Sequence, residues 1–266
     1  MKSIFKNNQA CTYESRFAYL IHDDVFNVFK NIKSKSVDMI FADPPYFLSG
    51  DGITVHSGKM VSVKKADWDE KIDIKKKHAF NKRWIRLCKR ILKDNGTIWI
   101  SGTLHNIYSV GMALEEEGFR ILNNIIWQKT NPPPNISCRT FTHSTESFLW
   151  AKKDLKKAKH LFNYKLMKTQ NNNKQMKDVW PTSLTKPSEK LHGKHPTQKP
   201  LAVLNRIIEA STSEGDIVFD PFNGSGTTGV ACVKNKRNYL GVELNKEYIN
   251  ISIRRIEEEY NSISRE

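Results

Sequence analysis

The stretch DIVFDPFNGSGTTGVACVKNKRNYLGVE, residues 216–243, decides how the chain folds. DIVFD (Asp216–Asp220) and NYLGVE (Asn238–Glu243) are short apolar, β-branched runs of strand type. Thr227–Asn235 between them has a helical pattern. Working outward, five more strand-type runs appear: YLIH (Tyr19–His22), VDMIFA (Val37–Ala42), TIWIS (Thr97–Ser101), ILNNIIW (Ile121–Trp127) and SFLWA (Ser147–Ala151). The spacing predicts further helices near Val25–Ile32, His78–Leu92, Leu104–Glu117, Leu201–Thr212 and Lys246–Tyr260. The second of these should stop at Asp94-Asn95-Gly96, and Asn245 should cap the last. Seven strands alternating with helices imply an α/β fold, a mostly parallel sheet covered on both faces.

Composition narrows the class. The 266 residues carry 43 Lys+Arg against 28 Asp+Glu, a formal charge of +15, and 38% are hydrophobic. That is enough apolar matter for a core and excludes wholesale disorder. No run approaches the ~20 apolar residues of a membrane span. The opening MKSIFKNNQACTYESRF is too polar for a secretory leader, so a cytoplasmic chain is expected. Cys11, Cys88, Cys138 and Cys232 are scattered, which argues against a disulfide framework or a cysteine zinc site. The charge is localised. Lys129–Lys199 holds fifteen basic and four acidic residues, a net +11 in about a quarter of the chain. Trp150, Phe162, Tyr164, Trp180 and the cluster Asn171-Asn172-Asn173 are interleaved with it. Such a stretch suits nucleic acid better than a merely solvated face: cations neutralise phosphates, and amides and Arg can read base edges.

The chemistry collects at strand ends, where open α/β sheets bind ligands. VDMIFA runs into Asp43, DIVFD ends at Asp220 and NYLGVE ends at Glu243. Gly224, Gly226 and Gly229 fit G-x-G-x-x-G between a strand and a helix, which allows a ligand close to the backbone and the helix N-terminus. With Glu243 after the next strand to grip ribose hydroxyls, a nucleoside cofactor is favoured over a bare turn. Asp43-Pro44-Pro45-Tyr46 adds something a dehydrogenase does not need. The prolines fix the backbone, so a carboxylate and the Pro44 carbonyl become two acceptors at a set angle beside an aromatic ring. A nucleobase amino group fits that arrangement, donating one N–H to each acceptor while the base stacks on Tyr46. Its lone pair, otherwise delocalised, is then turned toward an electrophile.

On these residues, together with His195-Pro-Thr-Gln-Lys-Pro200 upstream of the glycine turn, the chain resembles the S-adenosylmethionine-dependent amino-group DNA methyltransferases of the permuted beta class. FADPPYFLS, WISGTLHNIYSVGMALE, NNIIWQKTNP and GKHPTQKP look most similar to DpnA-like adenine methylases of restriction–modification systems that recognise GATC. The resemblance implies a circularly permuted, Rossmann-like methyltransferase sheet, with a catalytic domain of residues 1–128 and 195–266 and an inserted target-recognition segment, 129–194. It implies that Asp43 and Pro44, with Pro45 and Tyr46, handle the target adenine. Gly224, Ser225, Gly226 and Thr227, with Asp220 and Phe222, would hold the methionine part of S-adenosylmethionine. Glu243 would take its ribose, Thr197, Gln198 and Lys199 its amino-acid end, and Asp24 or Asp23 its adenine.

The implied function is site-specific N6-adenine methylation of DNA. The partners are double- or single-stranded DNA at the bacterial nucleoid, a second copy of the chain, and a cognate restriction endonuclease at the level of the system. N4-cytosine methylation is the alternative, and the adenine enzymes more often begin the motif with Asp. A nicotinamide-dependent dehydrogenase rests on the glycine pattern alone, and a non-catalytic nucleic-acid-binding module would require these motifs to be idle. Three features stay open or bland. His192 and His195 stand at metal-ligand spacing but lack a third ligand, so no metal is expected. Trp127-Gln128-Lys129-Thr130-Asn131 suits a base pocket or a core tryptophan equally. Phe47–Asp67, glycine-containing and long, suggests a lid beside Asp43.

Overall fold

The protein is described here by a computed structural model covering residues 1–46, 53–56, 59–62 and 73–265. Its elements in chain order are β1 (Tyr13–Glu14), β2 (Ala18–His22), α1 (Val25–Asn31), β3 (Val37–Ala42), β4 (Ile53–His56), β5 (Lys59–Ser62), α2 (Ile74–Ile91), β6 (Leu92–Gly102), α3 (Ile107–Glu116), β7 (Phe119–Lys129), β8 (Thr145–Lys153), α4 (Tyr164–Gln170), β9 (Val179–Thr182), α5 (Leu201–Ser211), β10 (Ile217–Asp220), α6 (Thr227–Lys234), β11 (Asn238–Glu243) and α7 (Lys246–Ile263). β4 and β5 form an antiparallel pair of their own. Apart from that pair, the lid expected over Phe47–Asp67 lies outside the described residues.

The main sheet has nine strands in the order β1-β2-β11-β10-β3-β6-β8-β7-β9, so the expectation of seven is corrected. All seven expected strands are present. β1 is only two residues long, and β9 is VWPT, too short and too interrupted by proline to register as a strand in the sequence. The sheet is mixed: β2, β11, β10, β3 and β6 run parallel, whereas β8 is antiparallel to both β6 and β7.

Alternate strand residues enter two separate cores, as the pleat requires. Tyr19, Ile21, Ile40, Ile98 and Phe219 meet Val28 and Phe29 of α1, Trp84, Ile85 and Cys88 of α2, and Val110 and Leu114 of α3. Leu20, Met39, Phe41, Trp99 and Val218 meet Leu204 and Ile207 of α5, Val230 and Val233 of α6, and Ile249 and Ile256 of α7. Among the described residues no helix is long and apolar enough to cross a membrane.

Two sequence signals resolve differently from their expectation. α2 ends at Ile91, before the Asp94-Asn95-Gly96 stop, and those residues lie within β6. The register with β3 jumps from Val37↔Leu92 to Met39↔Thr97, so the polar triplet bulges out of the ladder instead of joining the helix. Asn245 does cap α7, its side chain accepting from Glu247 N at 2.8 Å and Tyr248 N at 3.2 Å.

The basic stretch is tied into this scaffold. β8 lies between β6 and β7, and β9 pairs in parallel with β7, so residues 129–194 supply two strands of the main sheet. Trp99 and Trp150 stack at 4.9 Å between ring centroids, and Trp180 lies 6.2 Å from Trp99. Trp180→Ala should therefore cost about 3–5 kcal/mol of global stability, as removal of a core aromatic does. Urea unfolding of the variant checks this, and a loss under ~1 kcal/mol, the scale of a surface substitution, would show that the stretch is energetically separate.

Candidate active site

The parallel run of β11, β10 and β3 places their carboxyl ends side by side; β11 and β10 end in an acid and β3 runs directly into one. Asp43, Asp220 and Glu243 thus meet at one edge of the sheet, on the wall of a cavity of about 670 Å³. Every site residue expected from the sequence lines it except Gly226. That glycine stands behind the wall as the N-cap of α6, with φ +77°. A Cβ there would lie 2.1 Å from Ser252 Oγ, so the position shapes the turn by close approach of α7. Asp23 and Asp24 both face the cavity. Asp24 also caps α1, accepting from Phe26 N at 2.8 Å.

Each strand-end acid is stabilised differently. Glu243 is held by backbone amides: Gly224 N donates to Oε2 at 2.7 Å and Asn245 N to Oε1 at 2.8 Å. Asp220 is fully buried and accepts from Thr228 Oγ1 at 2.6 Å and Phe222 N at 3.0 Å. Burial outweighs these bonds, and Asp43 and Glu243 add repulsion, so its pKa rises to about 7. Asp43 instead meets a cation. Lys199 Nζ donates to its Oδ2 at 2.6 Å, and the Tyr46 hydroxyl donates to its Oδ1.

Tyr46 is 5% exposed, and its hydroxyl also receives Lys199 Nζ at 2.9 Å and lies 3.1 Å from Ser101 Oγ. The ring expected to stack on a base is thus anchored at its phenol end, and its pKa is pushed well up by burial and by Asp43. Lys199, expected at the amino-acid end of a cofactor, stands on Asp43. Burial alone would lower its pKa, but Asp43, Tyr46 and Glu146 outweigh that and hold it well above the usual lysine value. Glu146 was not foreseen as a site residue. It sits on β8, with Oε1 2.8 Å from Lys129 Nζ and Oε2 3.6 Å from Lys199 Nζ. Its own burial is likewise outweighed by Lys199 and Lys129, which hold it below the usual range.

Further residues at or beneath the wall were not among the expected site residues, although His195 belongs to a motif the sequence singled out. Phe26 and Phe80 make an aromatic side with Phe222, their rings at 6.0 and 6.4 Å. His195 packs edge-on against Tyr248, with centroids 4.3 Å apart, while burial and the Lys199 and Arg255 cations lower its pKa to about 3, so it is neutral. Arg255 reaches from α7 under the glycine turn, donating to Ser225 O at 2.6 Å and Thr227 Oγ1 at 3.0 Å. A charged residue one position before Ile256 on the buried face of α7 was the available signal. His192 lies apart, 2.8 Å from Glu258. Trp127 takes the core alternative: it is 2% exposed, donates to Thr182 O at 2.9 Å, and is not on the cavity wall.

The proton on Asp220 has a measurable consequence. The unfolded carboxyl ionises near 3.8 and the folded one near 7, so the native chain binds the proton more tightly. Asp220 therefore makes stability fall as pH rises from about 4 to about 7. Asp220→Asn should flatten that decline, and thermal unfolding across this window in wild type and variant checks it.

Comparison with known proteins agrees with this geometry. Residues 37–254 match the family described as DNA methylase. The type II methyltransferase M2.DpnII of Streptococcus pneumoniae is 60% identical over 247 residues, covering 93% of this chain and 92% of that protein. M2.MboI of Moraxella bovis is 50% identical, with 89% of each chain covered. Among solved structures, the M1.HpyAVI–SAM complex superposes with a TM-score of 0.67 at 32% identity, covering 90% of this chain and 99% of that one. The cytosine-N4-specific PvuII DNA methyltransferase shares the fold, with a TM-score of 0.72 at 16% identity, covering 97% and 96%.

Proposed function

This chain belongs to the DNA methylase family, and from that membership we propose that it methylates the N6 amino group of adenine in DNA, within GATC, as the modifying arm of a restriction–modification system. The observation that carries the reading is the meeting of Asp43-Pro44 with the glycine turn and Glu243 around one cavity.

The cavity suits S-adenosylmethionine on its own features. The glycine turn leaves its backbone approachable, and Gly224, with φ +53°, presents the Glu243 carboxylate beside it. Gln198 Oε1 is buried without a hydrogen-bond partner among the described residues. The aromatic side made by Phe26, Phe80 and Phe222 adjoins Asp24, a pairing suited to a purine and its ribose. Asp24 or Asp23, Glu243, the Ser225–Thr227 turn and Thr197–Gln198 would hold the cofactor. When bound, it supplies a methyl group activated on a positively charged sulfur.

The protein's own contribution is to aim the acceptor. Asp43 and the Pro44 carbonyl take the two amino hydrogens, which turns the nitrogen lone pair outward and stabilises the positive charge that grows on it. The target base must leave the duplex stack to reach them, since Asp43 lies on the wall of a recess. Exposed Lys156, Lys157, Lys159, Lys165 and Lys168 are available for phosphates. The chain would act in the cytoplasm, at the nucleoid, where that substrate lies.

Asp43→Asn keeps the shape but removes the anion, and should lower single-turnover methyl transfer to a GATC duplex by about 10²–10³-fold or more. Near-normal turnover would remove Asp43 from the chemistry. Nucleoside analysis of the wild-type product should give N6-methyladenine, whereas N4-methylcytosine would replace the adenine assignment. DNA affinity should also fall steeply with salt, log K dropping about 0.9 per phosphate contact for each tenfold rise. A flat response in a filter-binding titration would take the lysines out of the interface.

A further inference from the structure

Lys199 poses a problem for the chemistry just described. Its ammonium sits 2.6 Å from Asp43 Oδ2, while the Tyr46 hydroxyl takes Oδ1. A carboxylate so engaged is a weakened acceptor. A cation at that distance also opposes the positive charge that must grow on the target nitrogen. The ammonium has to give way when the amino group arrives.

A second place for it already exists. Glu146 Oε2 is buried, makes no hydrogen bond among the described residues, and lies 3.6 Å from Lys199 Nζ. Its sister oxygen is pinned 2.8 Å from Lys129 Nζ, so the free oxygen stays aimed at Lys199. A buried acceptor with only a long ion-pair contact and no hydrogen bond is costly, and such a group is explained when another state of the protein uses it. Lys129, Glu146, Lys199 and Asp43 form an electrically balanced set of two cations and two anions. Moving one ammonium by about an ångström, from near 3.6 Å to ordinary ion-pair distance, redistributes that charge without admitting a new ion.

Resting on the methylation reading above, we propose that Lys199 is a two-position gate on Asp43, with Glu146 as the positioning residue that draws its ammonium aside when the target amino group enters. In the empty site Lys199 pairs with the half-buried carboxylate of Asp43. In the loaded site Glu146 holds the ammonium, and Asp43 Oδ2, freed of its cation, faces the amine. Glu146 touches neither the base nor the cofactor and acts through Lys199.

The test uses the full chain with S-adenosylmethionine and a GATC duplex. Glu146→Gln, which keeps size and an acceptor for Lys129, should slow single-turnover methyl transfer by about 10–100-fold, with cofactor and DNA dissociation constants unchanged. Adding Lys199→Met to Glu146→Gln should recover roughly tenfold or more of the loss, because the ammonium left on Asp43 is gone. A merely structural Glu146 predicts the reverse, with the second substitution deepening the defect. An unaltered Glu146→Gln rate, or a loss that Lys199→Met does not relieve, overturns the gate while wild-type methylation still supports the function. A wild-type chain that methylates no DNA overturns both. Should the variants fail to fold, a crystal structure of the wild-type ternary complex decides: Nζ on Glu146 Oε2 supports the gate, and Nζ still on Asp43 Oδ2 overturns it.

Discussion

The molecule depends on a constraint that looks unfavourable: three neighbouring parallel strands bring their terminal carboxylates to the same edge of the sheet. Like charges brought together in a partly dry recess repel and lose hydration. The fold relieves this in three ways. Glu243 is held by oriented backbone amides, Asp220 keeps its proton up to about pH 7, and Asp43 is paired with a buried ammonium. Each solution suits a different task. Amide-held Glu243 is fixed in place, Asp220 braces the glycine turn through Thr228, and of the three only Asp43 has a counter-ion on a flexible stem.

That difference explains why the site can be both stable and usable. A buried pair must be well satisfied, yet a group that acts on a substrate must be releasable. On the proposed gate, four alternating charges running from Lys129 through Glu146 and Lys199 to Asp43 would reconcile the two demands, because a cation changing partners inside the row strands no charge.

Much of this was legible in the sequence because the signals were local. The strand runs ending at Ala42, Asp220 and Glu243 carry their β-branched pattern on their face, and the glycine and proline motifs sit directly after them. Features that depend on partners distant in the chain were not legible. β9 is a strand only because β7 offers it a ladder, and β6 absorbs a polar triplet as a bulge because β3 continues beyond it. Glu146 looks like any charged residue before an apolar run. Its importance comes from the antiparallel register that sets it opposite Trp127, next to the end of β7 and within reach of a lysine more than fifty residues later. The same non-locality brings Arg255 under the glycine turn.

The antiparallel strand β8 also limits how the basic stretch can be exchanged between related chains. The basic stretch leaves the sheet after β7, returns as β8 between β7 and β6, leaves again and returns as β9. A chimera that replaced residues 129–194 as one cassette would import foreign rungs into the middle of the sheet and shift their register against β6. A donor graft confined to residues 130–144, 154–178 and 183–194 would leave every rung native. Diversification of this scaffold is thus channelled into three separate loops, threaded through strands that have to stay as they are.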